Sequence, residues 1–238
     1  MPLLIMDARV KPEHDSIWKT ARRWLCNGSM TIEPLSAADN ETLALARRSG
    51  WPDDLRVLLA RFPREQWQGH ANLGEMARFW LSRHAMFREL ASMISGVEAG
   101  FRKGALSAAE FPRQLAPRLQ FLLSQLDAHH QIEDLHYFPI FRAADARLAR
   151  GFDVLEGDHH AIHADMARTA ETANALLRAL SGSLAGNTDA LTRCGDDYAT
   201  ASGTLLKGLI RHLDDEEDLI VPLILERGEA ALGVAHHG

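Results

Sequence analysis

Residues 127–139 read DAHHQIEDLHYFP, and this stretch decides the fold. His129 and Glu133 are four residues apart and continue the apolar positions Leu122 and Leu126. On a helix, at about 100° per residue, groups four apart differ by only about 40° around the axis. One face therefore runs from leucines into an imidazole and a carboxylate. Three further stretches repeat the device. Residues 156–166, EGDHHAIHADM, place His159 and His163 four apart beside Leu155, Ile162 and Met166. Residues 209–222, LIRHLDDEEDLIVP, place His212 and Glu216 four apart after Leu205 and Leu209. In WLSRHAMFREL, residues 80–90, His84 follows Trp80 by four and precedes Phe87 by three.

These periods extend into four helices. They are expected over about Leu73–Phe101, Pro117–Tyr137, Ala146–Leu180 and Asp189–Glu226. Pro139 is expected to end or kink the second helix, and Pro222 to kink the fourth before a stop at Gly228. No stretch alternates apolar and polar residues with β-branched enrichment. Short connections favour antiparallel neighbours, so the expected fold is all-α, an up-down-up-down four-helix bundle. Residues 1–67 are broken by Pro12, Gly28, Pro34, Gly50, Pro52 and Pro63. That allows only short helices, one of them in SAADNETLALARR with Ser36 or Asp39 as cap. Trp18, Trp24, Trp51 and Trp67 read as anchors that hold this extension on the bundle as a lid or brace. The bundle itself is assigned to residues 68–228 and a tail to 229–238.

A charged carboxylate on a buried stripe costs several kcal/mol unless it is paired or bound to a metal. Histidine nitrogens and carboxylate oxygens suit iron, manganese or zinc. The candidate ligands are His84, His129, Glu133, His159, His163, His212 and Glu216. Seven are too many for one tetrahedral zinc and suit two bridged six-coordinate metals with one open position. Glu217, about 140° from His212, is the alternative to Glu216 if a π-bulge re-aims the backbone. His130 and His160, each about 100° from a candidate ligand, are expected beside the site or exposed. His136 and Tyr137 are expected to line the pocket, while Asp214, Asp215 and Asp218 read as a solvated acidic face.

Composition narrows the class. The 238 residues are 46% hydrophobic and 24% charged, enough for a substantial core and unlike a disordered chain. A net charge of -6 lacks the basic footprint of a nucleic-acid binder. No apolar run reaches the length of about 18 residues that a membrane span needs, and the first residues do not form a secretory signal. Two cysteines, Cys26 and Cys194, make no disulfide framework, so a cytoplasmic location is expected.

The four motif stretches together resemble the hemerythrin-like, or HHE cation-binding, family over about residues 70–228. The resemblance implies a non-haem di-iron centre (Fe2+/Fe3+) with an oxo or hydroxo bridge, in which manganese or zinc can substitute. One iron would take three histidines and the other two, with Glu133 and Glu216 as bridges. The family's marine oxygen carriers place an aspartate one residue further from the last histidine. A glutamate at the shorter spacing is closer to the relatives that repair iron centres or sense iron and oxygen. The function expected is binding of dioxygen, or a related small ligand, for storage or sensing. The alternatives are an oxidoreductase acting on peroxide, nitric oxide or an organic substrate, and an iron-responsive regulatory module.

Overall fold

A computed structural model describes residues 42–183 and 188–235, and helices dominate it, with no strand among the described residues. The helices are α1 (Val57–Arg61), α2 (Glu75–Arg102), α3 (Glu110–Ile132), α4 (Phe138–Ala144), α5 (Ala149–Arg178), α6 (Thr188–Arg227) and α7 (Glu229–Leu232). The four long ones, α2, α3, α5 and α6, pack in a ring: α2 on α3, α3 on α5, α5 on α6, and α6 back on α2.

The boundaries have local causes. Helix α3 starts seven residues before Pro117, because Ser107 and Glu110 form a reciprocal cap. The Glu110 carboxylate accepts from the Ser107 N–H at 2.9 Å, and the Ser107 hydroxyl accepts from the Glu110 N–H at 3.3 Å. Pro117 lies on the exposed face, where water can solvate the carbonyl it leaves unbonded. After α3 the chain widens into one π turn, Glu133–Tyr137, and Pro139 sits in the first turn of α4, where no N–H is needed. Helix α5 likewise runs on into a π turn, Ala179–Ser183. Pro222 is carried within α6, which stops at Gly228, whose φ of 79° suits glycine. The N-terminus of α2 is capped from far along the chain: Glu229 accepts from the N–H groups of Met76 and Ala77.

Two apolar cores fill the ring. One contains Phe87, Ile94, Leu119, Leu126, Ile162 and Leu209. The other contains Trp80, Phe138, Phe141, Phe152, Leu155 and Leu219. Each fully buried Leu or Phe contributes roughly 1.5–3 kcal/mol. Between the two cores lies a layer of buried polar side chains, His84, His130, Glu133, His159, His212 and Glu216, none more than 1% exposed.

Residues 42–73 run along α6 and touch both cores, Leu45 entering the first and Leu43, Trp51, Leu55 and Trp67 the second. Trp51 donates from Nε1 to the Asp215 carbonyl at 2.6 Å. Of the expected SAADNETLALARR helix only Thr42 and Leu43 are helical among the described residues, and a turn follows. Ser36, Asp39, Trp18, Trp24 and Cys26 lie outside the described residues. No helix among the described residues is long and apolar enough to cross a membrane.

Candidate metal centre

The polar layer is built by register. On α3, His129, Glu133 and His130 fall at about 0°, 40° and 100°, so Glu133 lies between the two histidines and all three point inward. On α6, His212 and Glu216 share the inward face, while Glu217 is turned about 100° further.

The side chains gather into two groups, in each of which four ligand atoms lie within 4.8 Å of one another. The first comprises His84, His129, Glu133 and Glu216; the second comprises His130, Glu133, His159 and His212. Glu133 belongs to both. Glu216 also spans them, with Oε1 3.7 Å from His84 Nε2 and Oε2 3.3 Å from His212 Nε2.

Carboxylates outside the layer fix the rings. His84 Nδ1 lies 3.0 Å from Glu217, His159 Nδ1 2.7 Å from Asp134, and His212 Nδ1 3.3 Å from Asp158. An Nδ1–H donated to each carboxylate turns the bare Nε2 inward. Trp80 donates from Nε1 to Glu216 at 2.8 Å. Arginines hold the outer carboxylates in turn. Arg48 donates to both oxygens of Asp158 and to Asp215, while Arg64 and Arg88 donate to Glu217.

Charge follows this geometry. Burial, then the adjacent Glu216 carboxylate, pushes the Glu133 carboxyl well above its ordinary range. Burial would raise Glu216 too, but His84 and His212 hold it below that range. Burial, reinforced by neighbouring histidines, keeps His129 and His130 well below the usual imidazole value. Burial opposes charge on His212 as well, yet hydrogen bonds to Asp158 and Glu216 lift it to about 9. Burial likewise opposes charge on Glu217, which His84 and Arg88 bring down to about 2.

This donor set fits a cation. The buried Glu133 oxygens face ring nitrogens of the layer, Oε1 2.8 Å from His129 Nε2 and Oε2 3.5 Å from His159 Nε2, and both His130 nitrogens are buried without a hydrogen-bond partner. Such orphaned groups cost about 1–3 kcal/mol each, more when charged. Two pairs of Nε2 atoms also face each other at 3.2 Å, His84 with His129 and His159 with His212. Facing lone pairs repel unless a proton or a metal lies between them.

The structure departs from the sequence expectations at His130, His163, His136 and Asp215, and places Glu217, Tyr137 and His160 as expected. His130 joins the second group and stacks on His159 with ring centroids 3.9 Å apart. His163 does not join. It sits at the edge of the α5 stripe, its side chain 36% exposed, with Nδ1 3.6 Å from Asp127. Glu217 supports His84 from outside the layer and is not a member of either group. His136 is exposed, because the π turn delays the return to the inner face and gives the buried position to Phe138. Tyr137 packs edge-on against Trp80 at 4.9 Å and lines a cleft, and His160 is exposed. Asp215 is fully buried, not solvated, because Arg48 and Arg211 close over it. Asp134, Asp158 and Arg48 escaped sequence reading. An acidic residue one place after Glu133 or one before His159 carried no signal of its own.

A layer of converging imidazoles and carboxylates between two apolar cores defines a helical cation-binding protein. Residues 75–224 match the hemerythrin HHE cation binding domain, and the chain belongs to that family. No curated protein and no solved structure matches it.

Proposed function

We propose that the two groups hold a pair of iron ions bridged by Glu133 and Glu216, and that this centre binds dioxygen or a related small ligand for storage or sensing. The observation that carries the reading is Glu133, a buried carboxylate shared by both groups, with Oε1 2.8 Å from His129 Nε2 and Oε2 3.5 Å from His159 Nε2. On this reading His84 and His129 serve one metal, and His130, His159 and His212 the other. When bound, such a pair supplies reversible one-electron chemistry and affinity for small oxidising ligands. Manganese or zinc suits the same donors, so availability decides the occupant. The reading also takes the four long helices as up-down-up-down. In its support, α2 and α5 pass from the Trp80/Leu155 core to the Phe87/Ile162 core, and α3 continued by α4, like α6, passes back.

The chain's own groups have definable tasks. Glu217, Asp134 and Asp158 hold protons on the outer nitrogens of three histidines and so keep the inner nitrogens available. Trp80 orients Glu216. The two cores exclude water on either side. A cleft between α2 and α3 reaches His129 and Glu133, so an entering molecule meets the first group. Of the spare acid–base groups that would favour an oxidoreductase, Tyr137 lines this cleft, while His136 and His160 are exposed.

The test is metal content together with an absorption spectrum through an anaerobic, aerobic and argon-stripped cycle. Two irons per chain and a band that appears with oxygen and fades under argon are the expected result. Two irons with irreversible oxidation would replace storage with redox turnover. Metal-dependent folding without an oxygen band would replace it with an iron-responsive regulatory module. One metal or none would overturn the two-metal reading.

A further inference from the structure

The cleft that reaches the metal layer is much larger than a diatomic ligand requires. Its volume is about 310 Å³, against about 30 Å³ for a water molecule in the liquid. That is the lower end of the range for small-molecule pockets. Met76, Phe79, Trp80, Ile132 and Tyr137 make its walls apolar, and His129 and Glu133 form its floor. Phe79 and Ile132, two large apolar side chains flanking one opening, remain 60% and 50% exposed.

Arg83 stands in the same wall. Its guanidinium donates to the neutral Gln125 carbonyl at 2.9 Å and to Met86 sulfur at 3.7 Å, and lies 5.5 Å over the Phe87 ring. Among the described residues no carboxylate comes within ion-pair distance of it. Arg48, Arg64 and Arg88, by contrast, each hold two carboxylates. The cleft therefore joins an apolar body site to a half-buried cation whose charge is not neutralised from within the protein. A planar guanidinium pairs with carboxylate or phosphate, and among apolar walls a singly charged carboxylate on an apolar body is less costly to desolvate than a doubly charged phosphate.

We infer that this cleft is a binding site for a small apolar monocarboxylic acid. Its carboxylate pairs with Arg83, and its body lies against Phe79, Trp80 and Ile132, one end approaching His129. The inference deepens the proposed function by naming the class of organic molecule admitted to the centre. Binding itself needs only the protein walls and so does not require the irons.

The test is isothermal titration of the full chain, metal-loaded and chelated, with octanoate as probe and 1-octanol as the neutral control of similar body. Expected are one saturable octanoate site in both metal states and binding of octanoate at least tenfold tighter than octanol. Arg83→Gln should weaken octanoate by at least tenfold and leave octanol unchanged. Ile132→Asp, at an exposed rim position, should weaken both, and thermal melts establish that each variant is folded. The inference is overturned by absence of saturable binding, by equal affinity for the two probes, or by octanoate binding that needs metal and ignores Arg83→Gln. Octanoate binding to a chain that fails to take up two irons on loading would sink the function proposed above and leave this site standing. A working oxygen cycle without octanoate binding would do the reverse.

Discussion

Replacing Arg48 with methionine isolates the contribution of the N-terminal segment to the centre. The Arg48 side chain is 2% exposed and satisfies three acceptors: Asp158, Asp215 and the Leu43 carbonyl. Asp215 keeps Arg211, at 2.7 and 3.0 Å, when Arg48 is lost. Among the described residues Asp158 keeps only the 3.3 Å contact to His212. The damage therefore concentrates on one buried carboxylate. Removing one partner of a buried ion pair costs about 3–5 kcal/mol, mostly as the uncompensated charge. At about 2–4 °C per kcal/mol for a chain of this size, Arg48→Met should melt about 6–20 °C below the parent. The assay is thermal unfolding by circular dichroism with metal chelated, on the parent, Arg48→Met, Asp158→Asn and the double variant. The double variant should be more stable than Arg48→Met alone, because the neutral amide that replaces the Asp158 carboxylate removes the stranded charge. The cycle should show a coupling above about 1 kcal/mol. A shift below about 2 °C, or strict additivity, would refute this account of the segment as part of the site.

Other outcomes follow from single positions. His130→Ala should reduce bound metal from two per chain towards one while His163→Ala leaves it unchanged, as elemental analysis of the loaded protein would show; the reverse pattern would restore His163 as a ligand. A Cβ on Gly151 would lie 2.8 Å from both methyls of Leu219, where α5 meets α6. Gly151→Ala should then cost about 1–3 kcal/mol in denaturant unfolding, and a neutral result would mean the helices separate easily. Burial, with Glu98 adding to it, raises Tyr198 above its ordinary value near 10. The native chain thus keeps this proton while the unfolded chain releases it, and stability falls as pH rises past about 10. Tyr198→Phe should flatten that alkaline decline, and an unchanged profile would assign it to other groups. Ser107→Ala should cost about 1 kcal/mol by removing the α3 cap, checked by the same melts.

The four helices and most of the inward histidines were legible in the residues themselves. Helical side-chain direction is local: Leu122, Leu126, His129 and Glu133 share a face wherever α3 packs. The same holds for His212 with Glu216, and it placed Glu217 off that face. Two decisions were not local. Choosing His130 over His163 depends on how far α3 and α5 are rotated against the ring. Residues about 100° and about 40° from a ligand can each fall inside or outside a stripe this wide. The π turn at Glu133–Tyr137 then moved His136 outward and Phe138 inward, which a constant step of about 100° cannot anticipate. The carboxylates and arginines around the histidines were hidden for a different reason. Asp158, Asp215 and Arg48 are polar residues that read as surface until residues 42–73 lie along α6 and bury them. A periodic pattern records which side of a helix is apolar. Only tertiary packing decides which polar groups on the other side are taken out of water, and pairing there follows from the cost of leaving charge alone.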